Sequence, residues 1–153
     1  MIQAWRIVKK QYADDAFSGE GARLAGGRFD SPGIAVVYTA SSLALAELEI
    51  LVNLPTERLL ERYIAFRVRF DTSLLHVLRD ADLPPNWRTD PAPRAVKQIG
   101  DQWVQKAQSV VLSVPSAVVP AERNYVLNPA HADFDAIVIE GPLDPGIDPR
   151  LRQ

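Results

Sequence analysis

The chain has 153 residues, 47% apolar and 24% charged, a balance that suits one globular domain with its own core and excludes a disordered chain. It contains no cysteine, which excludes disulfides, thiolate metal sites and cysteine nucleophiles, and its net charge of −2 argues against a broad basic face for nucleic acid. No run of ~18 apolar residues is present, and MIQAWRIVKKQ lacks the basic-then-apolar order of a secretory leader, so a cytoplasmic protein without a membrane span is expected.

Taken in order, the first strand is predicted at Ala4 to Val8, followed by the glycine-rich stretch GEGARLAGGRFDSPG. A second strand, apolar almost throughout, is predicted from Ile34 to Ala40. Ser41 or Ser42 can cap LALAELEILVNL, which reads as a buried helix ending before Pro55. RYIAFRVRF alternates: Ile64, Phe66, Val68 and Phe70 take one face, and Tyr63, Arg67 and Arg69 take the other, as in a half-exposed strand. DLPPNWRTDPAP is a proline-rich surface loop, and a helix is predicted from Arg94 to Ala107. Strands at Val110 to Val114 and Ala136 to Glu140 follow. The tail GPLDPGIDPRLRQ, residues 141–153, carries too many prolines for regular structure and reads as mobile. Strands interleaved with a few helices, without a βαβα rhythm, predict a single α+β domain over residues 1–140.

The glycine-rich stretch fits neither familiar phosphate cradle. Gly21 and Gly26 have the Walker gap, but Gly27 and Arg28 follow where Gly-Lys-Ser/Thr is required. A dinucleotide fingerprint needs a strand before and a helix after, whereas here a strand follows. Two readings remain: a glycine hairpin with Arg23 and Arg28 in solvent, or a tight turn that presents both guanidiniums to a phosphate or carboxylate.

In the helix LALAELEILVNL the only charges are Glu47 and Glu49, which point roughly opposite ways. Leu45, Leu48 and Val52 define an apolar stripe with Glu49 at its edge. A carboxylate there either pairs with an arginine as a structural ion pair or sits on a pocket floor, holding a hydroxyl or a developing positive charge. Further on, VLSVPSAVVPAERNYVLNPAHADF brings Ser116, Glu122, Asn124, Tyr125, Asn128 and His131 beside prolines, as cleft-lining groups or as turn-formers. Ser116 lacks a nucleophile-elbow context. His76 and His131 lie far apart without ligand spacing, so no metal is inferred.

Together, Trp5-Arg6, GARLAGGRF, VVYTASSLALAELEILV and VPSAVVPAERNYVLNPAH resemble the RES domain family, in order, from about Ala4 to Phe134. The resemblance implies a fold related to the ADP-ribosyltransferase toxins and a toxin that consumes NAD as substrate, with no separate cofactor. Its members split the nicotinamide–ribose bond with water or phosphate, or transfer ADP-ribose to a protein. Carried over, Arg28, Tyr38, Glu49 and Ser116 are the implied catalytic residues, with Arg23, Gly27 and Asn124 binding substrate. Glu49 would stabilise the positive sugar, Tyr38 would stack on nicotinamide and the arginines would clamp the diphosphate.

The sequence departs from the family pattern at Phe29, Asp30 and Asn53, where tryptophan, asparagine and histidine are common. An acidic Asp30 near phosphates would weaken binding. By analogy with ADP-ribosyltransferases that carry a late glutamate, Glu140 is a rival to Glu49. The family also implies a cognate Xre-type antitoxin, through which any contact with DNA would be indirect; no membrane contact is expected from the composition, and a homodimer within the toxin–antitoxin complex is a further expectation. A protein whose role is to bind its antitoxin, without catalysis, is the alternative of another class.

Overall fold

The computed structural model describes residues 1–53 and 62–152. Its elements are β1 (Ile2–Lys9), α1 (Glu20–Ala25), β2 (Val37–Ala40), α2 (Leu43–Leu51), β3 (Tyr63–Phe70), β4 (Leu75–Val77), α3 (Arg94–Gln105), β5 (Val111–Pro115), β6 (Arg123–Leu127) and β7 (Val138–Leu143). The strands form one seven-stranded sheet in the order β4-β5-β6-β2-β1-β3-β7. Neighbours are antiparallel except β4 and β5, so the sheet is mixed and the domain is α+β.

The sheet has two apolar faces. On one, Ala4, Val37, Val68, Phe70, Val111 and Leu127 pack together. A fully buried Phe70 alone contributes roughly 1.5–3 kcal/mol on transfer from water. The other face carries both longer helices. Leu45 and Ala46 of α2 pack on Ile7, Ala40, Tyr63 and Ala65. Val96 and Trp103 of α3 pack on Leu112, Val114 and Val126. The helices thus cover opposite halves of one face and part over β2.

Ser42 caps α2, its side chain accepting the Leu45 N–H at 3.0 Å. The helix is less buried than its composition suggests. It lies on the sheet through Leu45 and Ala46, which leaves Leu48 41% and Val52 60% exposed, so the predicted Leu45–Leu48–Val52 stripe is not the packed face. Leu54, the last residue of the predicted helix, lies outside the described residues.

Alternation in β3 holds only at its C-terminal end. Tyr63 and Ala65 share a face with Arg67 and Arg69, yet both are buried because α2 covers them. Arg67 and Arg69, beyond the helix, stay partly exposed and pair with Glu140 across from β7.

Several elements differ from those the sequence predicts. The second strand starts at Val37 rather than Ile34. Arg123–Leu127, expected among turn-formers, is a central strand paired with both β2 and β5. Leu75–Val77 adds the parallel edge. The tail is not loose: β7 runs through Gly141 and Pro142 to Leu143, paired with Ala65, Pro145 is buried, and Ile147 packs on the α2 cluster.

Candidate active site

Where α2 and α3 part, a cleft of about 870 Å³ opens over β2. Its walls are the glycine-rich turn, α2, the start of the β5–β6 connection, and the proline-rich loop before α3. Arg28, Tyr38, Glu49 and Asn124, with Gly27, border it.

Glu49 is held by two donors. Ser116 Oγ–H donates to Glu49 Oε1 at 2.7 Å, and Asn124 Nδ2–H donates to the same oxygen at 2.9 Å. The arrangement follows from the sheet: Asn124 pairs with Ala40 on β2, two residues before the Ser42 cap of α2, so α2 rises beside the strand that carries Asn124. Neither arginine of the glycine-rich stretch pairs with Glu49. Oε2 takes no hydrogen bond among the described residues, which leaves it for a ligand.

Ser116 is wholly buried and lies behind Glu49, not on the cleft surface. Its oxygen accepts from Val118 N–H at 3.1 Å and Val119 N–H at 3.0 Å, while its proton serves Glu49. A hydroxyl so occupied positions a carboxylate. It has no free lone pair with which to attack a substrate.

Arg28 enters the cleft from the turn after α1. Its NH1 donates to the carbonyls of Trp87 and Thr89, both at 2.8 Å, which ties the glycine-rich turn to the proline-rich loop. Gly27 makes room for Tyr38: a Cβ there would lie 2.6 Å from the Tyr38 hydroxyl. That hydroxyl accepts the Phe29 N–H at 3.0 Å and donates to Asp30 Oδ1 at 2.5 Å. Burial, then the Asp30 charge, push the Tyr38 phenol well above its ordinary value. Asp30 is itself fully buried and does not border the cleft, so it does not face bound phosphates as the sequence suggested. Burial raises its carboxyl to about 6, against the Tyr38 hydrogen bond and the Lys97 charge.

Arg23 is placed elsewhere. The stretch Glu20–Ala25 is helical rather than a hairpin, bounded by Gly19 (φ 77°) and Gly26 (φ 73°) in the left-handed region. Arg23 therefore lies one turn from Glu20 and pairs with it on the surface, with side chains 44% and 48% exposed. It does not border the cleft. The spacing Glu-x-x-Arg after a glycine was the available signal. Glu140 is also outside the cleft, bonded to Arg67 and Arg69, which hold its carboxyl below the ordinary range.

Three further cations border the cleft that the sequence does not mark as site residues: Arg6, Arg88 and Lys97. Arg6 donates from Nε to Ala16 O at 2.6 Å and from NH1 to Tyr38 O at 3.0 Å, and burial lowers it to about 10. Arg88 Nε donates to Ala117 O at 3.0 Å, and Lys97 Nζ donates to Gly27 O. With Arg28, four cations face two carboxylates, Glu49 and Asp90, in a chain whose net charge is −2. All four are held by main-chain carbonyls, and none is ion-paired among the described residues. A carbonyl satisfies an N–H without cancelling its charge, so the cleft keeps a positive field suited to an anionic ligand. No helix among the described residues is long and apolar enough to cross a membrane.

Comparison with known proteins concerns the chain as a whole. The family model described as RES domain matches residues 3–150. The chain is 39% identical over 152 residues to a protein named Toxin Res from Yersinia enterocolitica, covering 99% of this chain and all of that one. It is 40% identical over 139 residues to a Prs ADP-ribosylating toxin from Sphingobium, covering 87% of this chain and 86% of the relative. In structure it is similar to a chain of the M. tuberculosis MbcT–MbcA toxin–antitoxin complex, with a TM-score of 0.74 over 98% of this chain and 88% of that one. At 20% identity, that likeness concerns the fold.

Proposed function

Because the chain belongs to the RES domain family, we propose that its cleft binds NAD and cleaves the nicotinamide–ribose bond, making it the toxin of a toxin–antitoxin pair. The observation that carries this is the presence, in the lining of one cleft, of a carboxylate with a free oxygen and of four cations that are not ion-paired among the described residues. Cleavage develops positive charge on the ribose while the diphosphate remains anionic. Glu49 Oε2 suits the first, as partner to a ribose hydroxyl and counter-charge to the sugar. The cations suit the second: Arg28 keeps Nε and NH2 free while NH1 anchors it.

Tyr38 contributes its ring, since its hydroxyl is committed to Phe29 and Asp30, and a ring at the cleft wall can stack on nicotinamide. Ser116 and Asn124 act on Glu49. Asn124 Oδ1 is buried without a partner among the described residues. The acceptor in this reading is water or phosphate, giving a glycohydrolase or a phosphorylase. A second reading, ADP-ribosyl transfer to a protein, is favoured by the name of the Sphingobium relative. The proposal includes a cognate antitoxin of Xre type, in line with the complex that contains the structural neighbour.

Incubation of the purified protein with NAD, with and without phosphate, tests the reading by chromatography of nicotinamide and the ribose product. Free ADP-ribose identifies hydrolysis, and a phosphate-dependent phosphorylated product identifies phosphorolysis. A labelled protein without free ADP-ribose moves the assignment to transfer. No nicotinamide under any condition refutes it.

A further inference from the structure

At the cleft wall Tyr38 is backed by Asp30, and the two form a pair that the turn wraps. The Tyr38 hydroxyl already accepts from Phe29 N–H, so its single proton goes to Asp30 Oδ1. Asp30 Oδ2 is buried with no partner among the described residues. The Asp30 carbonyl accepts the Gly27 N–H at 3.1 Å, which closes the turn from Gly27 to Asp30 over the pair. A Cβ at Gly27 would stand 2.8 Å from Asp30 Oδ1, so turn and carboxylate are in direct contact. Arg28 leaves from this turn into the cleft.

We propose that Asp30 is a positioning residue: its ionised carboxylate fixes Tyr38 and the turn that presents Arg28, so protonation of Asp30 loosens both at once. A phenol bonded to a carboxylate is held roughly twice as strongly as one bonded to a neutral acid. A neutral Asp30 must also place its new proton on one of two oxygens, one already taken by Tyr38 and the other without an acceptor. The charged and titratable neighbours are few. From α3 come Lys97, which donates to the carbonyls of Gly27 and Asp30, and Asp101, which accepts from Ser31. From β2 comes Tyr38, and from β1 comes Arg6, bonded to the Tyr38 carbonyl. Arg28 belongs to the turn itself. Burial is the dominant influence on Asp30 and raises its carboxyl to about 6, which brings the transition into the range of ordinary assays. The ionised form prevails above that value, so the site loosens on acidification.

The effect on catalysis rests on the NAD reading; the positioning itself does not. Two measurements separate them. In the first, NMR follows the Tyr38 ring carbon and the Arg28 Nε from pH 8 to pH 5, in the wild type and in Asp30→Asn. Both signals should move together in the wild type with a midpoint near 6, and neither should do so in the variant. Signals that stay still, or that move alike in both proteins, overturn the proposal. Should the variant fail to fold, the wild-type titration alone decides it. In the second, nicotinamide release across the same range should fall about tenfold between pH 7 and pH 5 in the wild type, as a one-proton transition near 6 requires. Asp30→Asn should lack that limb, and an identical limb in both overturns the proposal. Intact NMR titration with no NAD cleavage refutes the substrate reading and leaves Asp30 in its assigned role.

Discussion

Replacing Ser116 by alanine separates a positioning hydroxyl from a nucleophile. The substitution removes one donor from Glu49 Oε1 and one acceptor from the amides of Val118 and Val119. A hydrogen bond to a charged group contributes about 1.5–3 kcal/mol net. The two amides lie in half-buried residues where water can replace the lost oxygen. The expected loss is therefore about 2 kcal/mol, a fall in Tm of about 4–8 °C for a domain of this size. Glu49 keeps its bond from Asn124, so its carboxylate is misplaced rather than lost. Nicotinamide release should fall about 10- to 100-fold, chiefly in kcat, against roughly 10⁶-fold for removal of a true nucleophile. Because Ser116 and Asn124 act on the same oxygen, Ser116→Ala and Asn124→Ala should couple, the double variant losing less than the two singles combined. Initial rates and thermal unfolding on all four proteins test this. Wild-type activity in Ser116→Ala, or complete loss with stability intact, would refute the reasoning.

Other substitutions probe the frame. A Cβ at position 100 would lie 1.6 Å from the Phe29 carbonyl, because α3 packs directly on the backbone of the glycine-rich turn. Gly100→Ala should cost about 3 kcal/mol or more, read by denaturant unfolding. Arg28→Ala should lower nicotinamide release at least ~100-fold, whereas Arg23→Ala, which breaks only an exposed pair, should stay within about twofold, both read from initial rates. Glu140→Gln should lower the thermal midpoint by leaving Arg67 and Arg69 without their carboxylate, while cleavage stays within about twofold.

The parts that were legible in the sequence announce themselves through side chains. Ser42 before an apolar run marks the start of α2, and four alternating apolar residues mark β3. Arg28, Tyr38 and Glu49 could be singled out because a family pattern names them, and the structure brings all three to one cleft. Residues 123–127 were obscured by their composition: Arg123 and Asn124 stand at the start, and prolines lie on either side at 120 and 129. Tertiary pairing with β2 and β5 makes the strand, and local propensity does not report it. Arg6 belongs to the family pattern as Trp5-Arg6, but its place in the cleft is not legible, since nothing local shows that its guanidinium meets carbonyls 10 and 32 residues away. The prolines mark the loop as a surface crossing, but its part in the cleft leaves no mark in the sequence, because it holds Arg28 through carbonyl oxygens, which every residue carries.

That last feature bears on how such a site changes over generations. Carbonyl acceptors are indifferent to the side chains around them, so the loop over residues 83–93 can exchange most of its residues without releasing Arg28. An insertion or deletion is another matter, since one residue more or less presents a different carbonyl to the guanidinium. Loop length, rather than loop composition, is then the heritable quantity. Two relatives that look unlike each other in this segment can retain the same anchor, while a near-identical pair differing by a single gap can lose it.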